Sequence, residues 1–207
     1  MIAIVDYKAG NLTSVKLGFD ALGIEAVMTN SAADILRADR VVFPGVGAAG
    51  AAMRNLTALG LIEALRTVVR RGTPFLGICL GTQIIFESSE EDGGVAAIGL
   101  IPGRVKLFRP TDPVDKVPQI GWNSVRFLRA HPVFKGIEDE REFYFVHSYY
   151  PAPAEAGYTV GVTDYAGVTF AAVVGRANLV ATQFHPEKSG QIGLRIFANF
   201  SGWDGTC

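Results

Sequence analysis

The chain has 207 residues, 49% hydrophobic and 19% charged, with a formal net charge of −1. That size and apolar content fit one domain around a substantial core and exclude a disordered, charge-rich chain. The near-neutral balance gives no global pull towards nucleic acid or anionic membrane, and no apolar run approaches the roughly 18 residues of a membrane span. Met1-Ile2-Ala3-Ile4-Val5-Asp6 opens as a strand, without the basic and apolar segments of a secretory signal, so a cytoplasmic location is expected. The two cysteines, Cys79 and Cys207, lie far apart and form no disulfide framework.

Taken in order, residues 2–5 read as a strand and 11–22 as a helix with Leu12, Val15, Leu17, Phe19 and Leu22 as its apolar positions, closed by Gly23. Strands follow at 25–28 and 40–43, the latter stopped by Pro44. A helix at 60–71 ends at Gly72, a strand at 75–78 comes next, and a helix at 80–87 continues from it. Strands separated by helices imply βαβ units and a parallel sheet covered on both faces. After about Gly93 the segments 104–108, 142–146, 158–163, 169–174 and 179–182 read as strands joined by short turns. They are expected as antiparallel additions to the same sheet or as a small second sheet beside it. A last helix spans 190–200. No repeat, linker or domain boundary is seen, so the expectation is one domain over 1–207. Its class is α/β, a central mostly parallel sheet flanked by helices, with antiparallel strands added in the C-terminal half.

The strongest local signal is Pro74-Phe75-Leu76-Gly77-Ile78-Cys79-Leu80-Gly81-Thr82-Gln83. Glycines two before and two after the cysteine make it the thiol counterpart of the G-x-S-x-G elbow, where a strained strand-to-helix turn presents a nucleophile. A helix N-terminus also favours the thiolate. The ordinary reading of a cysteine after an apolar run is a core residue; the paired glycines weigh against it. A cysteine nucleophile needs a base, and there are three histidines. His131, before Pro132 in a polar turn, reads as structural, and His147, in an aromatic-rich strand end, as a packed or hydrogen-bonded histidine in a segment that could line a pocket. His185 lies in Gln183-Phe184-His185-Pro186-Glu187; Pro186 favours an extended backbone there, which turns residues 185 and 187 to one side. Glu187 could then fix the imidazole tautomer and leave the other nitrogen for Cys79.

Gly45-Val46-Gly47-Ala48-Ala49-Gly50 matches the G-x-G-x-x-G dinucleotide fingerprint, but after the third apparent strand and without the acidic residue at a following strand end. Beside a cysteine elbow, its backbone N–H groups can instead complete an oxyanion hole with that of Leu80.

Together these segments resemble the class I (triad) glutamine amidotransferases. Within them the match is to the glutaminase subunits that serve imidazole glycerol phosphate synthase in histidine biosynthesis. The discriminating pieces are Asp6-Tyr7-Lys8-Ala9-Gly10-Asn11-Leu12, Pro44-Gly45-Val46-Gly47, Pro118-Gln119-Ile120-Gly121-Trp122-Asn123 and His185-Pro186-Glu187-Lys188-Ser189-Gly190. The resemblance implies a catalytic set of Cys79, His185 and Glu187 and an oxyanion hole from Leu80 with Val46 or Gly47. It further implies glutamine contacts at Gln83, Glu91, Ser148 and Tyr149. Also implied is a cyclase partner of (β/α)₈-barrel fold that consumes the ammonia and is faced by Asn11, Trp122, Asn123 and Lys188; no cofactor or metal is expected. Three rival readings remain: a stand-alone thiol peptidase or esterase, the glutaminase of another pathway such as vitamin B6 synthesis, and a non-catalytic nucleotide-binding domain. Gly121-Trp122-Asn123 argues against the second.

Overall fold

The computed structural model describes residues 1–8, 10 and 12–206. Its first half runs β1 (Ile2–Val5), α1 (Leu12–Asp20), β2 (Ala26–Thr29), α2 (Ala32–Arg37), β3 (Arg40–Gly45), α3 (Ala49–Ala58), α4 (Ile62–Arg70), β4 (Phe75–Cys79) and α5 (Leu80–Ile84). The second half adds β5 (Ser88–Ser89), β6 (Val95–Ala96), β7 (Gly103–Leu107), β8 (Gln119–Phe127), β9 (Arg141–His147), β10 (Tyr149–Pro153), β11 (Thr159–Tyr165), β12 (Val168–Arg176), β13 (Leu179–Thr182) and α6 (Gly190–Gly202).

The main sheet has the order β2-β1-β3-β4-β13-β12-β11-β8-β9, and a four-stranded sheet has the order β10-β7-β5-β6. Strands β2 to β13 in the main sheet run parallel, and β12 onward extends it antiparallel. Both forms expected for the C-terminal half are therefore present. Segment 179–182 departs from expectation: β13 lies parallel to β4, with Thr182 opposite Ile78, and antiparallel only to β12. The strand expected to stop before Pro44 runs through it. The pairing of β3 with β1 stops at Val42, so beyond it β3 is paired with β4 only and can accept a residue without an N–H.

Alternation along β1 divides the core. Ala3 and Val5 pack with Ile35, Leu56, Leu65 and Val68 of α2, α3 and α4; Ile2 and Ile4 pack with Val15, Phe19, Ile196 and Phe197 of α1 and α6. Two helical layers thus cover the parallel strands, whose residues are apolar throughout because neither face meets water; all five residues of β4 are buried. The first helix ends as its sequence indicates: Gly23 adopts φ 69° and Ile24 N–H donates to Phe19 O at 3.0 Å. The helix expected over 80–87 is shorter, ending at Ile84 before the turn into the second sheet. No helix among the described residues is long and apolar enough to cross a membrane.

Candidate active site

Cys79 ends β4 and precedes α5 with φ 53° and ψ −110°, a backbone conformation that costs a non-glycine residue about 1–3 kcal/mol. The flanking glycines explain how the turn fits. A Cβ on Gly77 would stand 2.8 Å from the Ala181 Cβ of β13, and one on Gly81 would stand 1.8 Å from the Phe43 carbonyl oxygen of β3. Only glycines let both neighbouring strands approach the turn this closely. Thr82 fixes it further, its hydroxyl donating to Thr182 O at 2.6 Å.

The same β4–β13 pairing brings the far end of the chain to the sulfur. Just past β13, Gln183 donates from Nε2 to Cys79 Sγ at 3.8 Å, a sulfur-length contact, and its Oε1 accepts from Gln83 Nε2 at 3.0 Å. His185 is pinned by its backbone: its N–H donates to Tyr144 O at 2.9 Å, and its carbonyl accepts from the Ser189 hydroxyl at 2.7 Å. Its Nδ1 meets Glu187 Oε1 at 2.6 Å, with both side chains only 1% exposed. Its Nε2 lies within electrostatic reach of the Cys79 sulfur. Burial alone would lower the His185 pKa. The charge of Cys79 and hydrogen bonding to it outweigh this, and with the Glu187 carboxylate they raise it from 6.5 to about 10. An imidazolium between sulfur and carboxylate can hold a thiolate and can give its proton to a leaving group.

This cluster opens into a cavity of about 420 Å³ lined by Val46, Gly47, Cys79, Leu80, Gln83, Glu91, Ser148, Tyr149, His185 and Lys188, among others. Every residue expected in the catalytic, oxyanion or glutamine-contacting sets lines this space except Glu187, which stands behind His185. The positive φ of Gly47, 98°, shapes the turn leading into α3. Gln83 is committed internally: besides Gln183, its Nε2 donates to Tyr149 O at 2.9 Å. Glu91 accepts the Ala49 N–H at 2.7 Å, and burial raises its pKa.

The residues expected at a partner face fall into three groups. Trp122, 55% exposed on β8, stands edge-on to Tyr144, and Lys188 places its Nζ 5.5 Å over the Tyr144 ring. Both are exposed against the one tyrosine, and Lys188 also lines the cavity. Asn123 is tied down, donating to Asp164 O at 3.0 Å and accepting the Ser124 N–H at 2.9 Å. Asn11 lies outside the described residues.

Sequence reading missed one group at the site, Gln183, and found the place of a second, His147. Gln183 has no role in the sequence reading of the histidine motif, yet it touches the sulfur. His147 packs among Phe108, Phe145 and Phe170 as expected, and it also lines the cavity. Burial, with repulsion from His185, lowers its pKa to about 4 against the raising effect of its Nδ1 bond to Tyr149 O at 2.7 Å. It is therefore a neutral group beside a charged one. The strand-end run Val146-His147-Ser148-Tyr149 was the available signal, because it combines polar and aromatic groups where a sheet ends.

A family model described as glutamine amidotransferase class-I matches residues 3–201. The chain is 52% identical over 206 residues to the imidazole glycerol phosphate synthase subunit HisH of Nitratidesulfovibrio vulgaris (strain DP4), covering 97% of this chain and 95% of that one. It is 48% identical over 200 residues to the subunit of the same name from Dehalococcoides mccartyi (strain CBDB1), covering 97% and 96%. A crystal structure of a glutamine amidotransferase superposes with a TM-score of 0.75 at 16% identity, covering 98% of both chains.

Proposed function

Because the chain belongs to the class-I glutamine amidotransferase family, we infer that it is the glutaminase subunit of an imidazole glycerol phosphate synthase, releasing ammonia from glutamine for histidine biosynthesis. The observation that carries the residue-level reading is the line Cys79–His185–Glu187, closed by a 2.6 Å contact and facing a cavity. A cytoplasmic setting, where the thiol stays reduced, suits this chemistry, and the whole chain acts as one amidotransferase domain.

The steps follow from the groups present. The Cys79 thiolate attacks the side-chain amide carbon of glutamine, and the carbonyl electrons move to oxygen. The N–H of Leu80, with that of Val46 or Gly47, receives the oxyanion; one such donor is typically worth about 3–4 kcal/mol at the transition state. Imidazolium His185 gives its proton to the departing nitrogen, the C–N bond breaks and ammonia leaves. Neutral His185 then takes a proton from water, whose oxygen attacks the thioester carbon, and glutamate is expelled with the thiol restored. Glu187 holds the imidazole orientation through both halves. Glu91, Ser148 and Tyr149 offer polar groups to the amino-acid end of the substrate.

Ammonia is nucleophilic only while unprotonated, so it needs a dry route to a second site. A cyclase subunit of (β/α)₈-barrel fold, seated over Trp122 and Lys188 at the cavity mouth, provides one. Two measurements test the reading. Replacing Cys79 by Ala or Ser should lower ammonia release by at least about a thousandfold. A glutamine-like electrophile should add covalently at Cys79, and modification elsewhere on the chain would count against the assignment. The isolated chain should turn over glutamine more slowly than the partner complex, since uncoupled hydrolysis discards the product.

A further inference from the structure

The turn that carries Val46 and Gly47 runs directly into α3, whose first residue is Ala49. A helix leaves its first N–H groups without intrahelical acceptors, and Ala48 at the cap position has no side chain to accept one. The acceptor comes from 42 residues downstream: Glu91 Oε2 takes the Ala49 N–H at 2.7 Å. Glu91 is held in its own short turn, Glu91–Gly93, by its N–H donating to Ser89 Oγ at 3.2 Å. That turn packs against α3 so closely that a Cβ on Gly50 would stand 2.6 Å from Asp92 Oδ2. Glu91 also lines the cavity, as do Cys79, Gln83, Ser148 and Tyr149.

We propose that Glu91 is a positioning residue that fixes the Gly45–Ala48 turn through Ala49, and that the ammonium group of the substrate acts on the turn by binding the same carboxylate. A carboxylate offers about four lone-pair directions on two oxygens, so Glu91 can keep Ala49 while accepting from an ammonium in the cavity. The ammonium then holds the carboxylate ionised and in place. An ionised acceptor makes the stronger bond to a helix N-terminal N–H, so a seated substrate stiffens the entry to α3 and with it the backbone donors of the preceding turn. A group that merely contacts substrate would have no need of the α3 cap. This inference rests on the glutaminase reading, and the test separates the two.

Ammonia release by the partner complex would be measured with glutamine and with 4-carbamoylbutanoate, which is glutamine without its amino group. Glu91→Gln keeps a carbonyl acceptor for Ala49 but loses the charge. It should raise KM for glutamine about tenfold or more and lower kcat for glutamine several-fold, towards the kcat of the wild type on 4-carbamoylbutanoate; equal wild-type kcat on the two substrates would overturn the role given to the ammonium. Glu91→Ala removes the cap as well, and should lower kcat a further tenfold or so with both substrates, including the one that cannot touch the carboxylate. Amide hydrogen exchange at Ala49 should stay slow in Glu91→Gln and become fast in Glu91→Ala, an outcome readable even where turnover is too weak to measure. Equal kcat for the two variants on both substrates, or equal protection at Ala49, would overturn the proposal while leaving the glutaminase reading intact. A wild-type complex inert to both substrates would instead overturn that reading.

Discussion

His185 is the residue at which burial and charge compete most directly. It is 1% exposed and still held protonated, because a sulfur and a carboxylate stand on its two sides. Its pKa lies above the ordinary 6.5, so the native chain binds more protons than the unfolded one between that value and about 10. The stabilisation is complete below pH 6.5 and is lost as pH rises through about 10. Glu187→Gln removes one of the raising contributions. The gap in thermal midpoint between wild type and Glu187→Gln should therefore narrow from pH 7 to pH 10, and the imidazole signal of His185 should titrate at lower pH in the variant. Matching titrations in the two proteins would mean that Glu187 only orients the ring. His185 alone is extended, and a 3₁₀ turn over Pro186–Lys188, not an extended run, brings Glu187 back to the imidazole. The contact of residues 185 and 187 was legible, but for a different reason than expected. Gln183 was not, since an amide in a buried strand end gains its task only from the sulfur brought beside it.

At the scale of elements, the His185 segment depends on α6. Gly193 lies under the Pro186 carbonyl, and a Cβ there would stand 1.8 Å from that oxygen. Backbone on both sides leaves little room to yield, so Gly193→Ala should cost about 3 kcal/mol by overpacking. It should also displace His185 enough to reduce turnover about a hundredfold. Thermal unfolding and the ammonia-release rate would be measured together. A variant with a lowered midpoint and unchanged turnover would show that the segment is anchored elsewhere. The elements that sequence revealed are those with one dominant pattern, such as buried β4 and α4, which buries Ala64, Leu65 and Val68. Strand β8 was missed because Gly121, at φ 137°, and Asn123 interrupt a run that reads as a turn. The two-residue strands β5 and β6 exist only through tertiary pairing, which no local pattern encodes.

At the scale of the whole molecule, the proposed seat of the cyclase subunit is an exposed stretch of β8 with Lys188. Ile120 is 64% and Trp122 55% exposed on one face of β8, with Lys188 beside them. Large aromatic groups at such positions commonly dominate binding. Trp122→Ala and Lys188→Glu should each weaken association with the cyclase subunit by about tenfold or more in titration calorimetry. Both should leave the thermal midpoint of the isolated chain within about 2 °C, as expected for exposed positions. Undiminished affinity in both variants would move the docking face elsewhere.

The pairing of β4 with β13 has a temporal side. Gln183 follows Cys79 by 104 positions, and domains emerge from the ribosome N-terminal end first. During synthesis the sulfur therefore exists long before the groups that awaken it, and the growing polypeptide carries a dormant thiol. Reactivity would be switched on only when the last parallel strand slots in, so a half-made subunit consumes no amino acid. In a refolding experiment, covalent capture of a glutamine-like electrophile at Cys79 should return only after the helical signal, timing the closure of the sheet.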